Sequence, residues 1–312
     1  MNITISVVIP VYNSSEILAS LCTRISVSLN LLSHELILVN DGSNDNSWQV
    51  IKEIASGNSS IKGICLRKNF GQDNAIMAGL RIAKGEFVVI MDDDLQHAPE
   101  DISKLYEKCR EGYDVCFANF KNKNQSLIKN IGSDVNGMTA GMLVSKPCQI
   151  FLSPFKIIRR SVVEDIIKYT GPFPYLDGII LTITSSLTQI ALEHHKRTEG
   201  KTNYTLKKSF SVFIKTVTNF SVVPLRIATI TGFIAALVGF GLALYYLYDY
   251  FIANNFLEGW TTIVILIIFF GGLVLMSLGI IGEYIGRIFL SQNNKPQYTI
   301  SEMTFSETNQ KS

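Results

Sequence analysis

Three consecutive carboxylates, Asp92, Asp93 and Asp94, directly follow the apolar run Val88–Met91. Mostly β-branched residues of this kind predict a buried strand, so the carboxylates lie at its C-terminal end. Side chains alternate along such a segment, and we expect Asp92 and Asp94 to point one way and Asp93 the other. Two close oxygen ligands, with Gln96 as a neutral third, favour Mg²⁺ or Mn²⁺ bridged to substrate phosphates.

Another interpretation of the acidic run is a turn that caps the helix expected near Pro99, because carboxylates favour helix N-termini. Glu100 and Asp101 fit that capping role better than the triplet does. Other phosphate-binding motifs, G-x-x-x-x-G-K-[ST] and G-x-G-x-x-G, are absent, which removes the main support for a kinase or a dinucleotide-binding protein. His194 and His195 are adjacent and have no matching Cys or His set, so no zinc site is predicted.

The elements that must position the carboxylates alternate between strand and helix over the first ~120 residues, which predicts an α/β fold with a mostly parallel sheet covered on both faces. The predicted strands are Thr4–Ile9, Glu35–Val39, Lys62–Leu66, Glu86–Met91 and Asp114–Phe117. The predicted helices are Glu16–Leu31, Ser47–Ala55, Asn74–Ala83 and Glu100–Glu111. Three strands end in polar sequence, "PVYNSS", "NDGSNDNS" and "DDDLQ", and should meet at one crevice.

A basic, amphipathic segment follows this predicted domain. Lys196–Arg226 contains seven Lys or Arg and one acidic residue. Apolar residues recur within it at steps of four and three, at Leu206, Phe210, Phe213, Val217 and Phe220. The pattern predicts a helix on an anionic membrane surface, and a helix packed on the soluble domain is the alternative.

Two uncharged stretches, Ile227–Tyr248 with 22 residues and Gly259–Gly282 with 24, are each long enough to cross a hydrocarbon core of ~30 Å. Arg226 precedes the pair and Arg287 follows it, whereas the connection between the two stretches has no Lys or Arg. The positive-inside rule therefore places both ends in the cytoplasm.

Composition agrees with a membrane protein, because 47% of the 312 residues are apolar and 17% are charged. The net charge of +2 gives no basic field for nucleic acid. Five cysteines without metal-type spacing indicate free thiols in a reducing compartment. The N-terminus has no basic region or cleavage site of a secretory signal.

With these features, the chain resembles the polyprenyl-phosphate glycosyltransferases, which are inverting family 2 enzymes of GT-A fold. It is similar to the bacterial undecaprenyl-phosphate aminoarabinose and glucose transferases and, more distantly, to dolichol-phosphate mannose synthase. The resemblance spans Ile5 to about Pro296. The matching motifs are "VVIPVYNSSE", "LVNDGSNDNS", "RKNFGQDNAIMAGL", "MDDDLQHAPED", "HHKRTEGKTNYT", "PLRIATITG" and "GIIGEYIGRIF".

The resemblance implies a role for each matching position. The implied nucleotide-sugar ligands are Pro10, Tyr12, Asn40, Asp41, Asp93 and Lys201. Asp92, Asp94 and Gln96 would hold the metal, and the implied catalytic residues are Asp92, Asp94 and Arg197. Lys121, Lys123 and Arg159 are candidates for the acceptor phosphate. Tyr12 as a core aromatic, Asp41 as an Asx-turn residue and Arg197 as a lipid-headgroup contact remain alternatives.

This chain departs from the family pattern in three places. Asn40-Asp41 replaces the usual Asp-Asp, and "FLSPFKIIRR" lacks the aspartate sometimes proposed as a base. Lys121 and Lys123 stand where arginines are expected. The missing base matters less than it would for an alcohol acceptor, because a phosphate monoester is largely dianionic at neutral pH.

The implied function is transfer of a sugar, with inversion, from a UDP-sugar to undecaprenyl phosphate with Mg²⁺ or Mn²⁺. The expected organisation is a cytoplasmic catalytic domain over 1–203, an amphipathic helix over 204–224, two transmembrane helices within 225–290 and a cytoplasmic tail over 291–312. The enzyme would lie in the inner membrane, with both termini cytoplasmic, and the resemblance also implies a homo-oligomer.

Three other functions stay open on the sequence alone. A non-catalytic scaffold is motivated by Asn40 and the missing aspartate. A processive polysaccharide synthase would have more spans and a Q-x-x-R-W element, and neither feature is present. A nucleotidyltransferase would have a glycine-rich loop containing Arg, which is also absent.

Overall fold

The computed structural model describes residues 3–120, 150–192, 223–248, 259–292 and 296–306. The chain forms two compact units, Met1–Asn203 together with Lys295–Ser312, and Tyr204–Asn294. A sheet with its helices makes up the first unit, and two long apolar helices lie in the second.

The first unit is built on an eight-stranded sheet in the order β7-β5-β6-β4-β1-β2-β3-β8. Parallel pairing joins β4, β1, β2 and β3, and β5 to β7, whereas β6 and β8 run antiparallel to their neighbours. The strands are β1 Ile5–Val11, β2 His34–Asn40, β3 Ile61–Leu66, β4 Phe87–Ile90, β5 Val115–Phe120, β6 Lys156–Arg159, β7 Leu187–Leu192 and β8 Ile300–Met303. The predicted α/β fold with a mostly parallel sheet is confirmed.

Six helices belong to this unit, among the residues that the structure describes. They are α1 Leu18–Ser28, α2 Ser47–Gly57, α3 Gln72–Ile82, α4 Ile102–Arg110, α5 Arg160–Ile166 and α6 Leu176–Ile183, with a short 3-10 turn at Pro99–Asp101 before α4. The five strands and four helices predicted before residue 118 are confirmed, with ends shifted by a few residues. Strands β6, β7 and β8 and helices α5 and α6 were not predicted.

Helices cover both faces of the central strands because those strands are apolar on both faces. Val7 and Ile9 of β1 are fully buried in one cluster with Leu21 and Ile25 of α1. Val8 points the other way and lies so close to α3 that a methyl group added at Gly79 would come within 2.4 Å of it. This close approach brings the N-terminus of α3 to the carboxyl ends of β1 and β2.

The strand order changes direction at β1. The chain runs outward from β1 through β2 to β3 and then returns to form β4 on the other side of β1. Open α/β sheets bind ligands outside the carboxyl ends of their strands at such a point. The crevice here is lined by the residues immediately after β1, β2 and β4.

The second unit contains α7 Val223–Tyr248 and α8 Trp260–Gln292, which contact one another. Within the described residues, α8 has one window long and apolar enough to cross a membrane, Phe269–Gly286, and α7 has a shorter apolar stretch, Ala228–Gly241. Helices are therefore present where both spans were predicted, and two crossings stay a prediction. The predicted amphipathic helix over 204–224 lies outside the described residues except at its last two positions.

A buried carboxylate stabilises the sheet at the amino ends of its parallel strands, the end opposite the crevice. Glu35 on β2 is 1% exposed, and its Oε1 accepts hydrogen bonds from Ser6 Oγ at 2.6 Å and from the Lys84 amide at 2.7 Å. Its Oε2 pairs with Lys62 Nζ on β3. These partners replace the water that would otherwise bind the Glu35 carboxylate. The ion pair with Lys62 must therefore stay intact for Glu35 to remain charged in the interior.

We expect Lys62→Met to lower the free energy of unfolding by about 3 kcal/mol, because it leaves the buried Glu35 carboxylate without its cation. Lys168→Met is the matched control, since the Lys168–Asp165 pair is exposed and such pairs contribute at most about 1 kcal/mol. Urea unfolding of the full chain in detergent measures both. Equal losses in the two variants would contradict the assignment.

Candidate active site

The three predicted loops meet at the crevice, and Asp93 joins two of them. Asp93 Oδ2 accepts hydrogen bonds from the Tyr12 amide at 3.1 Å and from Ser14 Oγ at 2.6 Å, both in the loop after β1. That loop is joined in turn to the loop after β2, where the Asn44 amide donates to Asn13 Oδ1 at 2.8 Å. The expected convergence of the strand ends is therefore present.

Asp92 points toward different partners from Asp93, as the strand alternation predicts. Its Oδ1 accepts a hydrogen bond from Gln72 Nε2 in the first turn of α3 at 2.7 Å. Its amide donates to Nδ1 of His97 at 3.4 Å, and the His97 ring is stacked between Phe120 and Phe155. The aromatic stack fixes the imidazole, and the imidazole helps to fix the backbone of Asp92.

The backbone at Leu95 turns sharply between Asp94 and Gln96. Leu95 has φ 59°, a left-handed conformation that costs a non-glycine residue about 1–3 kcal/mol. The turn lets the Gln96 amide donate to Asp94 Oδ1 at 3.1 Å, and the Leu95 side chain packs against the core. Asp94 is therefore held beside Asp92 by a locally strained loop.

Burial and neighbouring negative charge raise the pKa of Asp92 to about 7. Burial is the largest cause, followed by the charges of Asp94 and Asp93, while Lys156 and the Gln72 hydrogen bond act in the opposite direction. Among the described residues, no group of three or more His, Cys, Asp and Glu is arranged to hold a metal. Mg²⁺ commonly takes one or two carboxylates and fills its other positions with water and phosphate, so the pair Asp92 and Asp94 fits such an ion.

Lys156 is a buried cation that sequence reasoning did not single out. It begins β6 opposite Ile90 of β4, its side chain is 4% exposed, and its Nζ forms an ion pair with Asp177 Oδ1 at the start of α6. Burial and the charge of Asp177 raise the pKa of Asp73 to about 6, while Lys156 and the Leu176 amide lower it. Lys156 thus offsets the charge of several carboxylates at this end of the sheet.

The residues after β2 are engaged with the protein. Asp41 is 4% exposed, and its two oxygens accept hydrogen bonds from the amides of Phe70 at 2.7 Å and Gly71 at 2.9 Å, just before α3. Burial raises the pKa of Asp41, and these two amides oppose the shift. Asn40 Nδ2 donates to Cys65 Sγ at 3.3 Å, a bond that an aspartate could not make.

Tyr12 and Pro10 differ in exposure. The Tyr12 residue is 48% exposed and its amide is bonded to Asp93, which excludes the alternative of a core aromatic. Pro10 is buried in β1 opposite Val39 of β2. The predicted nucleotide-binding residues with described positions therefore lie at or just after the carboxyl ends of β1, β2 and β4, and their role stays a prediction.

Arg159 is not at this crevice. It lies opposite Phe87 at the amino end of β4, with its Nε 3.8 Å from Asp114 Oδ1 and its Nη2 donating to the Tyr113 carbonyl at 3.3 Å. Antiparallel β6 places Lys156 at the crevice end and Arg159 at the other end, so the position of Arg159 does not support its predicted role at the acceptor phosphate, and Lys156 is the β6 cation at the crevice. Lys121, Lys123, Arg197 and Lys201 lie outside the described residues.

The raised pKa of Asp92 predicts a pH-dependent effect of Asp92→Asn on metal-free protein. The folded state keeps the proton that an unfolded aspartic acid loses near its ordinary value of 3.8, so this stabilisation is complete below that pH and is lost as the pH rises through about 7. We expect Asp92→Asn to raise the melting temperature at about pH 8 and to give little gain at about pH 4.

Thermal melting in detergent with a chelator checks this, with Asp165→Asn as an exposed surface control. A gain that does not shrink on acidification, or that the control shares, would argue against crowding of charge at Asp92.

Comparison with known proteins agrees with this geometry. The model of the family described as "Glycosyl transferase family 2" matches residues 6–167. The uncharacterized glycosyltransferase YkcC of Bacillus subtilis is 30% identical over 96% of this chain and 94% of its own length. An undecaprenyl-phosphate 4-deoxy-4-formamido-L-arabinose transferase of Yersinia enterocolitica is 31% identical over 97% of this chain and 94% of its own length.

Among solved structures, glucosyl-3-phosphoglycerate synthase from Mycobacterium tuberculosis, crystallised with Mn²⁺, UDP-glucose and phosphoglyceric acid, superposes with a TM-score of 0.51. The match covers 69% of this chain and 79% of the synthase at 19% identity, which supports the fold. From the crevice, the family match and the near full-length relatives together, we conclude that this chain belongs to glycosyl transferase family 2 and is a glycosyltransferase.

Proposed function

We propose that the protein transfers a sugar, with inversion, from a nucleotide-sugar, preferably a UDP-sugar, to undecaprenyl phosphate at the cytoplasmic face of the inner membrane. The observation that carries the proposal is the pair Asp92 and Asp94 at the end of β4, beside an exposed Tyr12 and a buried Lys156. Relatives named as undecaprenyl-phosphate transferases align over 97% of the chain, which supports the choice of acceptor.

Asp92 and Asp94 would hold Mg²⁺ or Mn²⁺, with Gln96 as a neutral oxygen donor. Such an ion, when bound, stabilises negative charge on the departing nucleoside diphosphate. Burial raises the pKa of Asp92, and the nearby charges of Asp94 and Asp93 raise it further, so a bound cation would offset charge at this position. Two carboxylates and an amide oxygen would leave other positions of the ion open, so this donor set would suit a cation that also takes substrate oxygens better than a closed structural metal site.

Other residues of the chain position the substrates. We assign the exposed Tyr12 to the nucleotide base, and Asp93 fixes the loop that carries it. An oxygen of the acceptor phosphate attacks the anomeric carbon while the bond from that carbon to the diphosphate oxygen breaks. Because the phosphate is already largely dianionic, no residue has to remove a proton from it.

Lys156 balances charge beside the reacting groups. Its buried ammonium faces Asp177 and lowers the pKa of Asp92 and of Asp73. A site that must admit phosphates next to several aspartates requires positive charge that solvent does not screen. We assign that role to Lys156, with Lys121, Lys123, Arg197 and Lys201 as further candidates to bind the donor and acceptor phosphates.

The second unit is proposed to anchor the enzyme in the bilayer through two crossings. Helices α7 and α8 have 26 and 33 residues, and each exceeds the ~20 residues that a crossing needs. Apolar side chains such as Leu275, which is 71% exposed, point away from the protein along both helices. The chain leaves the first unit at Asn203 and rejoins it at Lys295, which supports an even number of crossings with both ends on the same side.

Asp94→Ala is expected to reduce sugar transfer by about a thousandfold, because the diphosphate-bridging cation loses one of its two carboxylate ligands. The measurement uses full-length protein in detergent with undecaprenyl phosphate, Mn²⁺ and a panel of nucleotide-sugars, scored by the mass of the lipid product. Asp114→Ala, at the opposite end of the sheet, is the control for general damage. A folded wild-type protein that forms no glycolipid from any donor would favour the scaffold alternative, and release of pyrophosphate would favour a nucleotidyltransferase.

Lys156→Met is expected to bind Mn²⁺ several-fold more tightly than wild type while transferring sugar more slowly, since the lysine charge repels the ion but also balances the phosphates. Calorimetric titration of Mn²⁺ and the transfer assay measure the two effects. Lys168→Met, an exposed substitution, should change neither. Weaker Mn²⁺ binding in Lys156→Met would show that the lysine supports the carboxylates in a different way.

A further inference from the structure

The segment 296–306, which we call the C-terminal strap, contacts the rest of the first unit at two separate places. At one place β8 pairs antiparallel with β3, and Glu302 Oε2 accepts a hydrogen bond from Trp48 Nε1 at 2.8 Å. At the other place Gln297 and Tyr298 lie against Arg81, in the last turn of α3. The strap thus reaches from the outer edge of the sheet to the helix that begins at the active site.

Gln297 joins three parts of the protein through one buried amide. It is 7% exposed, its Oε1 accepts a hydrogen bond from Arg81 Nη2 at 3.0 Å, and its Nε2 donates to the Gly171 carbonyl at 2.9 Å. The orientation of the amide is set by chemistry, because a guanidinium can only donate and a carbonyl can only accept. Both ends of the side chain are therefore used.

The loop between α5 and α6 is fixed to α3 at two points. Near the end of α3, Arg81 Nη2 donates to the Tyr169 carbonyl at 3.3 Å. Near its start, Asp73 accepts a hydrogen bond from the Leu176 amide. These two points are separated by eight helical residues, or about 12 Å, so the loop runs along the length of the helix. Gln297 adds a third point, at Gly171, next to the Arg81 end.

Both elements held in this way carry residues of the active site. Helix α3 carries Gln72, which donates to Asp92, and the loop leads into Asp177, which pairs with Lys156. We propose that Gln297 is a positioning residue for sugar transfer: its bond to Gly171 holds the 169–176 loop so that Asp177 keeps Lys156 in place beside Asp92. This inference rests on the proposed function for its catalytic consequence and on the contacts of Gln297 for its structural part.

Gln297→Glu tests the bond to Gly171 selectively. The glutamate has the same shape and keeps its contact with Arg81, but it cannot donate to the Gly171 carbonyl. We expect backbone amides of residues 170–178 to exchange hydrogen about tenfold faster in this variant, because the partly buried Gly171 carbonyl is left without this donor. We also expect kcat for sugar transfer to fall about tenfold, with the Kd for a nucleoside diphosphate and Mn²⁺ nearly unchanged.

Glu302→Gln is the matched control on the same strap. It removes the 3.7 Å pairing with Lys52 Nζ, and the remaining amide oxygen can still accept from Trp48. Exchange in 170–178 and kcat should stay at wild-type values. Unchanged exchange in Gln297→Glu, or the same acceleration in Glu302→Gln, would overturn the proposed contact. Faster exchange without a fall in kcat would overturn the positioning role.

Arg81→Lys provides a second variant if Gln297→Glu does not fold. The lysine keeps the charge but cannot reach the Tyr169 carbonyl and Gln297 Oε1 together as the guanidinium does, so an acceleration of exchange in the same residues is expected. Wild-type protein without transfer activity would refute the proposed function alone, since hydrogen exchange in the two variants still tests the contact between the strap and the loop.

Discussion

Negative charge crowded at the end of a buried strand is the constraint on which the rest of the site depends. Parallel pairing of β4 with β1 brings Asp92, Asp93 and Asp94 next to the residues immediately after β1. The protein separates the charges by giving each carboxylate a different neighbour, Ser14 for Asp93 and Gln72 for Asp92. Burial and the remaining repulsion raise the pKa of Asp92, and a cation together with a diphosphate would relieve the repulsion.

Lys156 makes this arrangement possible in the absence of ligands. A buried lysine is stable when its charge is paired, and Asp177 provides the pairing while Phe117 presents its ring 5.4 Å from the ammonium. The lysine in turn lowers the pKa of two carboxylates in the crevice. Charge balance therefore depends on β6 and α6, two elements that the sequence pattern alone did not predict.

The elements that could be predicted share a long, regular apolar pattern. Strands β1 and β2 are mostly apolar and buried, and the polar sequences after them mark their ends, so the fold class could be predicted from the residues. The acidic run after β4 marks Asp92 and Asp94 as candidate metal ligands, and that role stays a prediction. Strand β6 has four residues and β8 has two exposed polar residues among its four, so neither gives a period that identifies a strand. The direction of β6 also could not be deduced, and it decides that Lys156 faces the crevice while Arg159 lies about 10 Å away at the other end.

The late position of β8 in the chain has a consequence for biosynthesis. Residues 300–303 complete the edge of the sheet beside β3, but the ribosome adds them after both long apolar helices. Until then β3 is an edge strand with unpaired backbone groups, a type of surface that favours mispairing and aggregation. The first unit can therefore reach its final form only after both long apolar helices have been translated, so its sheet is completed late in synthesis.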